Sequence, residues 1–302
     1  MRQAWNHSLL VVGVLAASSF TPASSVQEAP TPSFLAGKQV KSTIVLKKSS
    51  GASPSGPQGN QSVSIAGPTD QTISRVLSVK KDKGDDFLLE RSVKRVQMTL
   101  LSVLGKSVYD SDNTFERDQV TSALGQRYDP YINKSFKVVY RPKSNSTDQT
   151  ARDPRFEGLW SINMPTLLKE TALQGILLPE LPKTLAVGST WVDSVTSGGN
   201  TTVNRYTVLK KDGDLWRLQL DSREAPVARQ SQAASSATGA GGAPATGLVS
   251  TTTYKGELRV RLSSGFIEEL RLTKESASRV TAAGQAIQNN SSATVLIQNT
   301  LN

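Results

Sequence analysis

The chain has 302 residues, 37% of them hydrophobic and 20% charged, with a formal net charge of +10. That balance belongs to a globular protein of one large domain or two smaller ones, and with only 6% aromatic residues aliphatic side chains must fill most of its core. Cysteine is absent and the single histidine is His7, so disulfides and a lipoprotein thiol are excluded.

Leu9 to Ala17 is an apolar run of about nine residues, far short of the ~20 that span a bilayer, and small residues follow it. Residues 1–25 are therefore expected to be a signal peptide cut near Ser25, and no later segment is apolar enough to cross a membrane. The cut removes Arg2 and no acid, which takes the charge from +10 to +9. It also removes His7, leaving an exported chain with neither histidine nor cysteine. Ser-His-Asp and Cys-His nucleophiles cannot be assembled from such a chain, and the usual histidine and cysteine ligands of catalytic zinc are missing. Carboxylate, Ser-Lys or Tyr chemistry is what remains.

Residues 26–37 read as a flexible leader, and 38–302 as a β-rich domain with two sub-halves, 38–142 and 179–302. A strand is expected over Lys38–Lys48, with Val40, Ile44 and Leu46 inward. The low-complexity stretch 49–60 is expected to be a disordered loop. Ile73, Leu77 and Val79 alternate with Ser74, Ser78 and Lys80; the turn Asp82–Asp85 and Phe87–Leu89 complete a hairpin. Leu89–Leu104 fits a long strand with a phase slip near Lys94. Asn113–Gly125 is the best helix pattern, capped by Asn113 with Glu116 three residues on, ended by Gly125, and burying Val120, Ala123 and Leu124. Strand alternation returns over Lys134–Tyr140, and Lys143–Asp153 is polar and loose. A second short helix is expected over Met164–Gln174, with Asn163 as cap, and Pro179 and Pro182 hold an extended connector.

Val203–Leu209 and Leu215–Leu220 flank Asp212-Gly213, a type I′ signal that would set Leu209 opposite Trp216. This turn echoes the one at Asp82–Asp85, as convergence or an internal duplication. The segment 225–247 has almost nothing to bury and is expected to be disordered. Leu258, Val260 and Leu262 then alternate with charged residues before Ser263-Ser264-Gly265. A three-residue loop there would pair Leu262 with Phe266, Leu258 with Leu270, Arg259 with Glu269 and Glu257 with Arg271. That register leaves Glu268 on the apolar face and Ile267 on the charged one. Ser292–Leu301 is a last strand with Ala293, Val295 and Ile297 inward. The expected fold class is α+β, predominantly antiparallel β: a curved sheet or half-barrel with two short helices.

Three stretches taken together, Val108–Asp112, Leu178–Pro182 leading to Val187–Trp191, and Tyr254–Glu257, resemble a family of exported bacterial proteins catalogued as a domain of unknown function. The resemblance extends over most of the exported chain. It implies an exported β-rich domain and brings no activity, cofactor or site residue with it.

Candidate chemistry is sparse. Asp110, Asp112, Glu116 and Asp118 could offer oxygen ligands to calcium, but the sharp-turn glycine of a calcium loop is missing and acids suit a helix start. Ser78 and Lys81 have the Ser-x-x-Lys spacing, yet on a strand they face opposite sides. Trp160, Trp191 and Trp216 could line a sugar cleft or pack in the core. The lysines and arginines, among them Lys41, Lys47, Lys94, Lys137, Lys210 and Lys211, read as a solvated face or as a surface for anionic envelope polymers or lipid headgroups. Asn145, Asn200 and Asn290 stand in glycosylation sequons of the kind Ser/Thr-rich loops produce by chance. Nucleic acid is not an expected partner, because aromatic residues do not interleave the cations. No catalytic residue, cofactor site or metal site is assigned. The function expected is non-enzymatic, in a periplasmic or extracellular bacterial protein of the envelope that binds a lipid or other apolar envelope ligand. The competing class is a carboxylate-dependent hydrolase of an envelope polymer.

Overall fold

The structure, a computed structural model, describes residues 32–51, 70–102, 105–115, 117–142, 146–148, 153–160, 173, 175–178, 181–182, 185–197, 200–224, 227–229, 248–282 and 285–302. The strands are β1 (Gln39–Gly51), β2 (Asp70–Lys81), β3 (Phe87–Ser102), β4 (Gly105–Asp110), β5 (Ser135–Arg141), β6 (Ser146–Thr147), β7 (Thr190–Ser197), β8 (Asn200–Asp212), β9 (Leu215–Glu224), β10 (Val227–Arg229), β11 (Leu248–Arg261), β12 (Phe266–Ala282) and β13 (Gln285–Leu301). The helices are α1 (Gln119–Tyr128) and α2 (Pro154–Trp160). The strands form a single antiparallel sheet in the order β6-β5-β3-β2-β1-β13-β12-β11-β9-β8-β7, with β4 beside β3 and β10 beside β11. It is open at both ends, not closed into a barrel. The β1–β13 ladder is the seam between the N-terminal and C-terminal strands.

One face of this sheet is organised in rows of directly opposed side chains. Val96, Ile73, Ile44, Ile297, Leu270, Leu258, Leu218 and Val208 form an unbroken aliphatic row from β3 to β8, and all are buried. Period-2 alternation puts every second residue of each strand on this face, so register alone aligns them. A second row runs Leu46, Val295, Leu272, Gly256, Leu220, Tyr206, Trp191 from β1 to β7. Its last two rings stack with centroids 4.9 Å apart.

Two elements lie on this inner face. α2 stacks Phe156 on Phe136 of β5 at 3.9 Å. Residues 175–178 bury Ile176, Leu177 and Leu178 and are tied to β12 through Ile267 N–H to the Ile176 carbonyl. The Asn299 side-chain amide donates to the Gly175 and Ile267 carbonyls and accepts from the Ser42 hydroxyl, so three separate stretches meet at one buried amide.

The expected strands over Lys38–Lys48, Ile73–Leu89, Lys134–Tyr140 and Ser292–Leu301 are present, and the phase slip near Lys94 is a bulge: Ser74 pairs with Arg95 and Arg75 with Val93. Three readings need correction. The Arg259–Glu269, Leu258–Leu270 and Glu257–Arg271 pairs are as expected, but Val260 then pairs with Ile267 and Arg261 with Phe266. Glu268 is the bulged residue and the loop has four residues, with Gly265 at φ 66°. The bulge returns Ile267 to the buried face and Glu268 to the charged one, where Arg261 meets it at 2.6 Å. On the β8–β9 hairpin Lys211, not Leu209, lies opposite Trp216. Its turn is Gly213-Asp214, with positive φ only at Gly213, the pattern of a II′ turn, and the slid register leaves Leu209 as a bulge 37% exposed.

The third correction concerns the helices. α1 begins at Gln119, capped by the Asp118 carboxylate accepting from Thr121 N–H. It runs through Gly125, which faces the Arg117 guanidinium where a Cβ would collide with it. Its buried residues are Thr121 and Gly125, with Leu124 partly buried against the core; Val120 and Ala123 are exposed. The expected helix over Met164–Gln174 lies outside the described residues except for Leu173. α2 lies just before it, and its signal was legible: Asp153 accepts from Arg155 and Phe156 N–H, Pro154 opens the helix, and Phe156, Leu159 and Trp160 share its buried side. Within the expected loops, Ser49–Gly51 belongs to β1 and Val227–Arg229 pairs with β11; the remainder of both lies outside the described residues.

Candidate functional site

Past the two apolar rows the inner face changes chemistry. The third row reads Lys274, Tyr254, Ser222, Asn204, Asp193 across β12, β11, β9, β8 and β7. Beyond it lie Ser276 opposite Thr252, and Glu224 opposite Thr202. These positions keep the strand phase of Leu258, Leu220 and Tyr206, so the sheet presents them to its interior. Tyr254, Asn204 and Thr202 are essentially inaccessible, and Ser222 and Thr252 are buried.

The cluster is linked by hydrogen bonds. Ser222 Oγ donates to Asn204 Oδ1 at 2.7 Å, Asn204 Nδ2 donates to Asp193 Oδ1 at 2.8 Å, and Tyr254 OH donates to Glu224 Oε1 at 3.1 Å. The Lys274 ammonium stands 5.6 Å above the Tyr254 ring, within cation–π range. Among the described residues Thr202 Oγ1 has no hydrogen-bond partner, and a buried hydroxyl left so costs about 1–3 kcal/mol. Both carboxylates of the cluster are engaged, Asp193 by Asn204 and Glu224 by Tyr254. Among the described residues no group of three His, Cys, Asp or Glu could hold a metal ion.

Arg75 of β2 and Arg91 of β3 are a second buried polar feature. Arg91 makes a two-pronged ion pair with Glu157 of α2 at 2.5 and 3.1 Å, and Arg75 Nη1 donates to the Trp160 carbonyl at 2.6 Å. Burial first, and the like charge of Arg91 second, pull the Arg75 pKa down to about 9. It is still a cation at neutral pH, held against desolvation by that carbonyl and the Trp160 ring. The sequence carried the signal, since Arg75 lies in phase with Ile73, Leu77 and Val79, and Arg91 with Leu89.

The acids singled out from sequence are structural. Asp110 accepts from Arg95 at 2.6 and 3.1 Å and from Gln97 at 2.8 Å. Asp112 meets Arg95 at 3.1 Å, and Asp118 caps α1; Glu116 lies outside the described residues. The Arg95 hydrogen bond leads in holding Asp110 down to about 2, below its usual 3.8. A carboxylate depressed on folding contributes stability above its unfolded pKa and loses it as pH falls through the folded one. Because Arg95 is 44% exposed, screening leaves about 1 kcal/mol. Asp110→Asn is therefore expected to lower stability by that amount at pH 7, with the gap to wild type closing between about pH 4 and pH 2. Denaturant melts across this range check it, and parallel curves would refute the ion-pair account.

The remaining candidates are not brought together. Ser78 accepts from the Gln39 amide at 3.4 Å, and Lys81 lies exposed at the other end of the same Ser-x-x-Lys spacing on β2. Trp160 is buried in α2, whereas Trp216 and Trp191 belong to β9 and β7. A concavity of about 530 Å³ on the β11–β12–β13 arm is lined by Thr251, Thr253, Glu275, Ala277, Asn290 and Ser292, among others. No helix among the described residues is long and apolar enough to cross a membrane. Neither a known family model nor a curated protein matches this chain.

Proposed function

We propose that this is a non-enzymatic protein of the bacterial envelope, exported by its N-terminal apolar segment, that binds an amphiphilic envelope molecule at the polar end of its inner sheet face. The head group meets the half-buried Lys274, Ser276, Asp193 and Glu224 at the margin of the buried Tyr254–Ser222–Asn204 row, and the apolar portion lies toward the half-buried Trp191. The observation that carries this reading is the abrupt change from two apolar rows to a buried polar row on one continuous face, with the Thr202 hydroxyl left without a partner among the described residues. Folding alone gives no reason to bury that hydroxyl, since valine has nearly its shape without the polar cost. The engagement of Asp193 and Glu224 by neighbouring donors favours binding over carboxylate hydrolysis.

The test is organic extraction and mass spectrometry of the full chain recovered from an envelope fraction. An amphiphile at near-equal stoichiometry, lost from Asn204→Leu and Tyr254→Phe variants that melt normally, is the expected result. Protein recovered without one, or variants loaded like wild type, would overturn it.

A further inference from the structure

The opposite, outer face carries an arrangement of charge that the fold does not need. Lys210, Arg217 and Arg259 stand directly opposite one another on β8, β9 and β11. Like charges in directly opposed positions destabilise a sheet, and at about 4.8 Å between strands their stems cannot avoid one another. All three are exposed. Compensation is shared: Arg217 reaches Glu257 at 3.7 Å, Arg259 reaches Glu268 at 3.7 Å, a carboxylate that Arg261 holds more closely at 2.6 Å, and Glu269, opposite Arg259 on β12, is held by Arg271 at 2.7 Å.

The same face continues the charge along the strands. Two rows along, Lys255 and Arg205 flank Asp221, and Arg223 follows on β9 opposite Val203. From Arg217 to Arg223 the strand advances six residues, roughly 20 Å, and the three strands are about 10 Å across. The row between those of Arg217 and Asp221 is Glu257, Gln219 and Thr207, and Thr253 stands opposite Arg223. No aromatic side chain lies among them to enter a bilayer.

We propose that Lys210, Arg217, Arg259, Arg205, Arg223 and Lys255 form a docking face for an extended polyanion, a polymer with a phosphate, sulfate or carboxylate on each repeat, lying along the strands. An incoming chain of negative charge relieves the repulsion in the row and releases its own counterions. This surface is on the other side of the sheet from the polar row, so the two readings stand or fall separately.

The experiment is titration of the full chain with long-chain polyphosphate over a series of salt concentrations. The triple variant Lys210→Gln/Arg217→Gln/Arg259→Gln is expected to bind at least about tenfold more weakly and to reduce the slope of log K against log salt by about 2 to 3, one for each phosphate no longer neutralised. Its thermal midpoint should not fall, because it removes like-charge pairs. A second triple, Lys80→Gln/Lys134→Gln/Lys137→Gln, takes the same charge from exposed positions on and around β2 and β5 and should weaken binding by less than about threefold if local charge, not the screened net charge, governs it. Equal weakening in both triples, or none in the first, would overturn the proposal. Binding to phosphatidylcholine–phosphatidylglycerol vesicles without binding to polyphosphate would overturn it in favour of a membrane surface.

Discussion

Replacing Gly256 with alanine is expected to destabilise the protein by about 3 kcal/mol, the upper end of what overpacking usually costs. Gly256 lies mid-strand in β11, between Leu220 of β9 and Leu272 of β12. A Cβ built there would overlap the Arg271 carbonyl oxygen and come within 2.8 Å of Leu272 Cδ2. The nearer obstacle is backbone, so relief requires the β11–β12 ladder to open at the centre of the sheet, where the aliphatic row crosses two residues away. Glycine in a strand interior otherwise weakens it, and here it marks a close approach of two backbones. Urea melts of wild type and Gly256→Ala decide the matter: a change below about 1 kcal/mol would mean the strands separate easily there.

Glu157→Gln should be the next most damaging change, by about 2–3 kcal/mol. It leaves Arg91, only 4% exposed, as a buried guanidinium without its carboxylate, beside the equally buried Arg75. Stripping one partner from a fully buried pair costs about 3–5 kcal/mol, and Glu157 is 23% exposed, which moderates the figure. The pair as a whole is a different quantity. Arg91→Met combined with Glu157→Leu should recover most of the loss, because desolvating both charges offsets most of their attraction. A double-mutant cycle with Arg91→Met and Glu157→Leu as its single variants reads the coupling. If the double variant is as unstable as Glu157→Gln, the ion pair itself, and not the orphaned charge, holds α2 on the sheet.

Much of the sheet was legible because strand alternation is a local signal. Ile73, Leu77 and Val79, or Val295 and Ile297, declare their inward phase within a few residues, and the slip at Lys94 appears as a break in that phase. Glu268 and Ile267 show the limit. Their misfit was visible in sequence, but a three-residue loop and a four-residue loop with a bulge differ by a single backbone step that no local pattern weighs. At Asp212-Gly213 a strong turn signal named the right place but was displaced by one residue, the turn being Gly213-Asp214. The polar inner row was overlooked because Tyr254, Ser222 and Asn204 look like ordinary strand residues until three strands are aligned.

The sequence by itself determined that the protein is mostly antiparallel β, the inward phase along most of its strands, and that residues 26–302 hold neither histidine nor cysteine. Those properties follow from side-chain type and from a period of two along one strand, and neither needs a partner. Only the tertiary structure decided that β1 pairs with β13, that Ile44 through Leu258 to Val208 form one row, and that Lys210, Arg217 and Arg259 face one another. Residues on β1 and β13 are some 250 positions apart in the chain, and register between strands is set by packing across the whole sheet. Each strand's own letters are compatible with several neighbours, and burial of the common face selects among them.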